Sequence, residues 1–263
     1  MQILSKDNNL IKHIKKLKDK KYRDEYGEYV IEGIKLIDEA IKEHAEIAYI
    51  IVCEGCDRSE IIENRLRYEM AKYECIYVPQ DIFKLISDTQ NPQGILAVIK
   101  KDMQEQKINY NEDIILALYD IQDPGNLGTI LRTVDSIGIK QVLVSKGTVD
   151  RFSPKVVRST MGAIFRIKVL ECENLKDELK KAQKNGFKVM CTSLEAKKSI
   201  YDLSYVKKVI VIGNEANGVS KEIQDLADEK AIIPMLGKTE SLNVSVATGI
   251  ILYEYVRQKI IKK

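Results

Sequence analysis

The run Ile114-Ile115-Leu116-Ala117-Leu118-Tyr119 carries a largely apolar side chain at every position, so both of its faces must be covered. A parallel sheet flanked by helices provides that cover, whereas a half-solvated antiparallel strand would alternate. A turn at Asp123-Pro124-Gly125-Asn126 and a helical pattern over residues 127–137 follow the run. The alternation then recurs, with strands expected at 141–144, 188–191, 209–212 and 231–233, and a long amphipathic helix over 244–260. Such a pattern specifies an α/β fold built on a mostly parallel sheet.

The preceding part reads in the same alternating way but on a smaller scale. Strands are expected at 29–32, 48–53, 75–78 and 94–99, and helices at 35–43, 58–72 and 80–87. Residues 100–112 are polar and without strong periodicity, the mark of a linker. The expected organisation is a smaller N-terminal α/β domain over 1–105, its linker included, and a larger domain over 106–263. The chain shows no fixed-period repeat and no low-complexity tract.

Composition narrows the chemistry. No apolar run approaches the roughly 18 residues of a membrane span, and the first 20 residues hold no signal-peptide core, so a cytoplasmic protein is expected. His13 and His44 are the only histidines, too few for a histidine-rich metal centre and poor support for a Ser-His-Asp site. Cys53-Glu54-Gly55-Cys56 spells C-x-x-C but lacks further ligands for a tetrahedral metal. All five cysteines are therefore expected to be ordinary reduced thiols, and no metal is expected.

The net charge of +3 hides an asymmetry. Residues 1–23 carry eight basic side chains against Asp7 and Asp19, while residues 1–105 as a whole net −3 and 106–263 net +6. A basic leading helix presenting Lys15, Lys16 and Arg23 suits a phosphate backbone. It equally suits a solvated helix with Ile3, Leu10, Ile14 and Leu17 turned inward.

Three strings at expected strand ends stand out, where open parallel sheets place their ligands. The first runs from Asp123 to Thr133, with Asn126 suited to a helix N-cap, Gly128 permitting close approach, and Arg132 inside the helix, where its fork suits a phosphate. The second is Gly213-Asn214-Glu215-Ala216-Asn217-Gly218, a backbone-rich turn open to a small polar ligand. The third runs from Ile233-Pro234-Met235 to Ser241-Leu242-Asn243-Val244-Ser245-Val246-Ala247, where Ser241 or Asn243 would cap the final helix. Neither a Rossmann fingerprint nor a P-loop spacing is present, which argues against an ordinary dinucleotide or ATP site. Taken singly, the first two strings also fit common capping and turn chemistry.

Together the three strings resemble the motifs of the SpoU (TrmH) RNA ribose 2′-O-methyltransferases. Asn126-x-Gly128-x-x-x-Arg132-Thr133, Gly213-Asn214-Glu215-x-x-Gly218 and the 233–247 string stand in that family's order. Arg158-Ser159-Thr160-Met161-Gly162-Ala163 is similar to its small-x-Gly-Ala segment, with Thr160 where serine is common. Tyr22-Arg23 through Gly27, Glu32-Gly33 and Asn91-Pro92-Gln93-Gly94 resemble the substrate-binding domain of the larger members, which is like ribosomal protein L30e.

The resemblance implies a C-terminal trefoil knot and a homodimer through the C-terminal domain, with the final helix burying Val246, Ile250 and Leu252 or Tyr253 against its partner. It implies S-adenosylmethionine as methyl donor, touched by Thr192, Gly213, Gly218, Ile233 and Leu242. It also implies a catalytic set of Arg132, Asn126, Glu215, Ser241 and Asn243. Asn126 would position Arg132 or the ribose, and Arg132 would act as base or as phosphate anchor. The RNA contacts expected are Lys15, Lys16, Arg23 and Arg158. The implied reaction is methylation of a ribose 2′-hydroxyl in RNA, with 23S rRNA favoured. The alternatives are a tRNA 2′-O-methyltransferase, a base-methylating relative and a non-catalytic RNA-binding or ribosome-assembly factor.

Overall fold

The computed structural model describes residues 1–56, 69–102 and 107–261. The chain packs as two compact units, Met1–Gln104 with Asp150–Phe165, and Glu105–Val149 with Arg166–Lys263. The helix expected over 58–72 lies largely outside the described residues, as does part of the polar stretch 100–112. The described end of that stretch is well anchored. Ile108 and Tyr110 pack on the second unit's core, and Asn109 exchanges two hydrogen bonds with the Gln141 side chain.

The first unit contains α1 (Asn9–Lys16), α2 (Lys20–Tyr26), β1 (Glu28–Glu32), α3 (Ile34–Lys42), β2 (Ile47–Glu54), β3 (Cys75–Pro79), α4 (Gln80–Ile86) and β4 (Ile95–Lys100). Its sheet has the order β1-β4-β2-β3, antiparallel except for the β2/β3 pair. Strand alternation divides the core. Ile95, Ala97 and Ile99 face α3, whereas Leu96 and Val98 face α1 and α4.

The single leading helix of the sequence reading is two helices. Asn8 Oδ1 accepts from the amide of Leu10 and Asp19 Oδ1 from that of Lys21, so each segment starts on its own cap. Ile11, Ile14 and Leu17 are fully buried, each contributing about 1.5–3 kcal/mol.

The second unit contains β5 (Ile114–Leu118), α5 (Pro124–Ser136) and β6 (Gln141–Ser145), and resumes with β7 (Lys168–Cys172), α7 (Leu175–Lys184), β8 (Lys188–Thr192), β9 (Lys198–Ser199), β10 (Lys208–Ile212), α8 (Lys221–Leu226), β11 (Glu229–Ile232) and α9 (Val244–Ile261). All its strand pairs are parallel, in the order β7-β6-β5-β10-β8-β11-β9. Every residue of β5, β6 and β10 is buried, as the uninterrupted apolar runs require. Strand β7 escapes the sequence reading because Lys168 and Glu171 expose themselves at an edge and break the apolar run. The sheet grows outward in opposite directions from β5 and β10, which leaves a crevice at their carboxyl ends.

Between β6 and β7 the chain lends a segment to the first unit, including α6 (Pro154–Thr160). Val157 enters the core beside α3, and Phe152 lies against Tyr29 at 4.6 Å between ring centroids. The segment turns through Met161 (φ 52°) and Gly162 (φ 98°). A Cβ at Gly162 would sit 2.9 Å from Glu39 Cγ, so the glycine of the small-x-Gly-Ala string answers a packing need within this unit.

Two expectations require correction here. Cys53 and Cys56 form a disulfide, with Cα atoms 5.9 Å apart across a turn that Gly55 makes at φ 74°; only Cys75, Cys172 and Cys191 are free thiols. Arg23, expected to face RNA, is enclosed instead. It is 3% exposed, and its guanidinium is held by Asp150 at 2.6 Å and by the carbonyls of Leu17 and Lys18. Among the described residues no helix is long and apolar enough to cross a membrane.

Candidate active site

The loops after β5, β8, β10 and β11 meet at one end of the parallel sheet. Strand β5 leaves through Asp120, which adopts φ 54°, a conformation aspartate tolerates better than most residues. Its Oδ1 accepts from Ser145 Oγ at 2.5 Å and its carbonyl accepts from Asn214 Nδ2 at 2.7 Å. The β5 exit is thereby tied to β6 on one side and to the β10 loop on the other.

Helix α5 begins at Pro124, three residues before the expected start. The N-cap is Asp123 and not Asn126: Asp123 Oδ1 accepts from the Asn126 amide at 2.8 Å. This frees the Asn126 side chain. Its Nδ2 donates to Glu215 Oε1 at 3.0 Å, and its Oδ1 accepts from Asn243 Nδ2 at 2.9 Å. Asn243 in turn caps α9, its Oδ1 accepting from the Ser245 amide at 2.9 Å. Three residues, one from the first turn of α5, one from the loop after β10 and one from the start of α9, thus form one polar chain. Glu215 also accepts from the amides of Gln122 and Asp123. Partial burial pushes the Glu215 carboxyl upward, but the Asn126 side chain and these backbone amides outweigh it and hold it below the ordinary glutamate range.

Beside this chain lies a cavity of about 510 Å³, within the range of small-ligand sites. Thr192, Gly213, Gly218, Ile233 and Leu242 all line it, and so does Ser241. Gly213 has no room for a side chain: a Cβ there would lie 2.2 Å from the Gly218 carbonyl carbon and 2.3 Å from the Val219 amide nitrogen. Asn214 closes the turn from within, its Oδ1 accepting from the amides of Ala216 and Asn217. Asn214 and Asp123 stand in the strings singled out from the sequence but carry no expected task there, and Asp120 is not among the residues singled out. The signal for Asp120 is its place at the exit of the buried β5 run.

Arg132 stands apart. It is exposed on α5, makes no hydrogen bond or ion pair among the described residues, and is not bonded to Asn126. The two lie six positions apart in the helix, which directs them to different sides of α5. Within the chain Asn126 therefore does not hold Arg132, which leaves the ribose as its other expected partner. Ser241 makes no hydrogen bond to the Asn126–Glu215–Asn243 chain. On α9, Val246 and Tyr253 are half exposed and Ile250 is partly exposed, at the i, i+4, i+7 spacing of one face. Leu252, also expected to face a partner, is fully buried within the chain.

In the first unit Lys15 and Lys16 are exposed, with Lys16 Nζ 5.3 Å from the centre of the Tyr22 ring. Most other leading cations have partners: Lys6 pairs with Asp81, Lys12 with Asp7 and Lys20 with Asp24. Arg158 pairs with Asp88 at 2.7 Å and keeps about a third of its side chain exposed.

Residues 113–253 match the SpoU rRNA Methylase family, and residues 8–97 match the MRM3-like substrate binding domain. The 23S rRNA (guanosine(2553)-2′-O)-methyltransferase RlmP of Bacillus subtilis is 33% identical over 96% of this chain and 98% of its own length. The mitochondrial rRNA methyltransferase 3 of Xenopus tropicalis is 28% identical, over 96% of this chain and 75% of its own. The crystal structure of an AdoMet-bound rRNA methyltransferase from Sinorhizobium meliloti superposes with a TM-score of 0.83 at 28% identity, over 98% of both chains. With its motifs joined in one polar chain and its length matched almost end to end, the chain belongs to the SpoU rRNA methylase family and is an RNA ribose 2′-O-methyltransferase.

Proposed function

We propose that this enzyme takes its methyl group from S-adenosylmethionine and places it on a ribose 2′-hydroxyl of 23S rRNA. The observation that carries the reading is the Asn126–Glu215–Asn243 chain standing at a cavity of about 510 Å³. The cavity suits the donor: its walls offer loop backbone and small residues, and Gly213 leaves no side chain in the way. Thr192, Gly213, Gly218, Ile233 and Leu242 would hold the donor, which supplies an electrophilic sulfonium methyl. No metal is needed for that chemistry, because the acceleration comes from alignment and from easing proton loss.

Asn126, Glu215 and Asn243 then orient the acceptor ribose, with the Ser241 hydroxyl adding a polar contact. A guanidinium is a poor general base, so Arg132 is read as an anchor and not as a proton acceptor. Its role is to grip the phosphate beside the target and to stabilise the alkoxide as it develops. Its separation from the Asn126 network supports a homodimer in which Arg132 completes the partner subunit's site, with Val246, Ile250 and Tyr253 in the interface. The family also implies that the second unit is threaded as a trefoil knot.

RNA is gathered by the first unit through Lys15 and Lys16, with Arg158 joining where a phosphate displaces Asp88. The 23S target rests on the relatives named for rRNA, and the setting is the cytoplasm, where ribosomal RNA is available. The test is transfer of tritiated methyl from S-adenosylmethionine to total RNA from cells lacking the enzyme, comparing the enzyme with Arg132→Ala and separating 23S rRNA from tRNA. Label that depends on Arg132 and protects the 3′ phosphodiester from alkali is the expected result. Label confined to tRNA, or absent with both proteins, would overturn the reading.

A further inference from the structure

The cavity beside the Asn126 chain carries charge of one sign only. Glu195, Glu215 and Glu240 line it, and no lysine, arginine or histidine does so among the described residues. Glu215 is engaged by Asn126 and by backbone amides, but the carboxylates of Glu195 and Glu240 have no hydrogen-bond or ion-pair partner among the described residues. The nearest cations in sequence, Lys197, Lys198 and Lys238, are exposed and do not line the cavity. Glu195 belongs to the loop after β8 and Glu240 to the loop after β11, so the two carboxylates come to the cavity from separate elements.

We infer that Glu195 and Glu240 select the cationic methyl donor over the neutral product, and so favour exchange of product for fresh donor. The inference rests on the reading of this cavity as the S-adenosylmethionine site. The donor carries a sulfonium and an ammonium against one carboxylate, a net charge of +1. During transfer the methyl carbon–sulfur bond breaks with its electron pair returning to sulfur, a carbon–oxygen bond forms, and the hydroxyl proton leaves. S-adenosylhomocysteine, the thioether left behind, has no net charge. Two unpaired carboxylates attract the first more than the second, while every contact to adenine, ribose and the amino-acid group is common to both. Because both side chains are exposed, each is worth about a threefold preference, and the pair roughly tenfold at low salt. A role for either glutamate in binding the donor's ribose hydroxyls predicts something different, since donor and product would then weaken together.

Calorimetric titration of the full-length protein with S-adenosylmethionine and with S-adenosylhomocysteine distinguishes these outcomes. In the Glu195→Gln/Glu240→Gln variant the ratio of product to donor dissociation constants should fall about tenfold, mostly through weaker donor binding. In the unmodified protein the same ratio should fall as ionic strength rises. Glutamine keeps the size and hydrogen-bonding reach of glutamate at exposed positions, and an unchanged melting temperature confirms the fold. An unchanged ratio at both salt concentrations, with both ligands still bound, overturns the charge inference alone. If the unmodified protein binds neither ligand, the donor-site reading fails with it.

Discussion

Arg23 and Arg132 belong to strings that resemble motifs of one family, yet the two units treat them in opposite ways. In the first unit Arg23 is enclosed, with its guanidinium shared between Asp150 and two backbone carbonyls. In the second, Arg132 stays in solvent with no partner among the described residues. The same side chain thus braces one unit and remains available for chemistry in the other. The contrast extends to the surroundings. Half of the eight cations in the basic lead of the first unit are paired with acids, whereas the polar motifs of the second converge onto one network and one cavity.

The comparison breaks most decisively at the arginines. Arg23→Ala should destabilise the protein by about 3–5 kcal/mol, because Asp150 is left nearly buried without its cation. Chemical denaturation measures this, and a loss under 1 kcal/mol would show that Arg23 is not the brace described (a range typical of exposed pairs). Arg132→Ala should leave stability unchanged and lower the methyl-transfer rate by about 10²–10³-fold, the usual loss for a removed charge-stabilising donor. Gly213→Ala comes next. Backbone atoms meet the new Cβ, so the β10 loop must open, costing about 1–3 kcal/mol and weakening donor binding severalfold, as thermal melting with and without donor would show.

Smaller effects sharpen the picture. Replacing Lys15 and Lys16 together by alanine should weaken RNA binding and reduce the salt slope by roughly two, with Arg158→Ala adding less because Asp88 already engages it. Filter binding over a salt series reads both. Finally, Glu215 is held below the ordinary glutamate range in the folded protein. Its hydrogen bonds therefore contribute stability that is present above the unfolded carboxyl's pKa and is lost as pH falls through the lower, folded value. Asn126→Ala should shrink that acid-side loss, measured as melting temperature against pH. An identical acid limb in both proteins would remove Asn126 as the partner that matters.

Much of the architecture is legible in the chain. The apolar runs at 114–119 and 209–212 announce strands covered on both faces, and β5 and β10 are buried at every position. Edge strands are harder to read, as β7 shows, because a strand with one neighbour admits Lys168 and Glu171. The residues around the cavity were legible through their glycine and asparagine strings, since tight turns leave few chemical options. Their division of labour was not. Asn126 and Asn243 are both asparagines near helix starts, and a sequence cannot say that Asp123 takes the capping role at α5 while Asn243 caps α9 and still reaches Asn126.

Charge was the least legible property. A net +6 over residues 1–23 described the composition of a surface without saying which cations remain available to a partner. That depends on Asp81 and Asp150, acids far away in sequence that only folding brings to Lys6 and Arg23. The sequence by itself determined the parallel sheet, the family and the loops that carry the site, because periodicity and turn chemistry are local. Tertiary structure alone decided which arginine is a brace and which is available for chemistry. Ion pairs, burial and the meeting of loops depend on contacts between residues tens of positions apart.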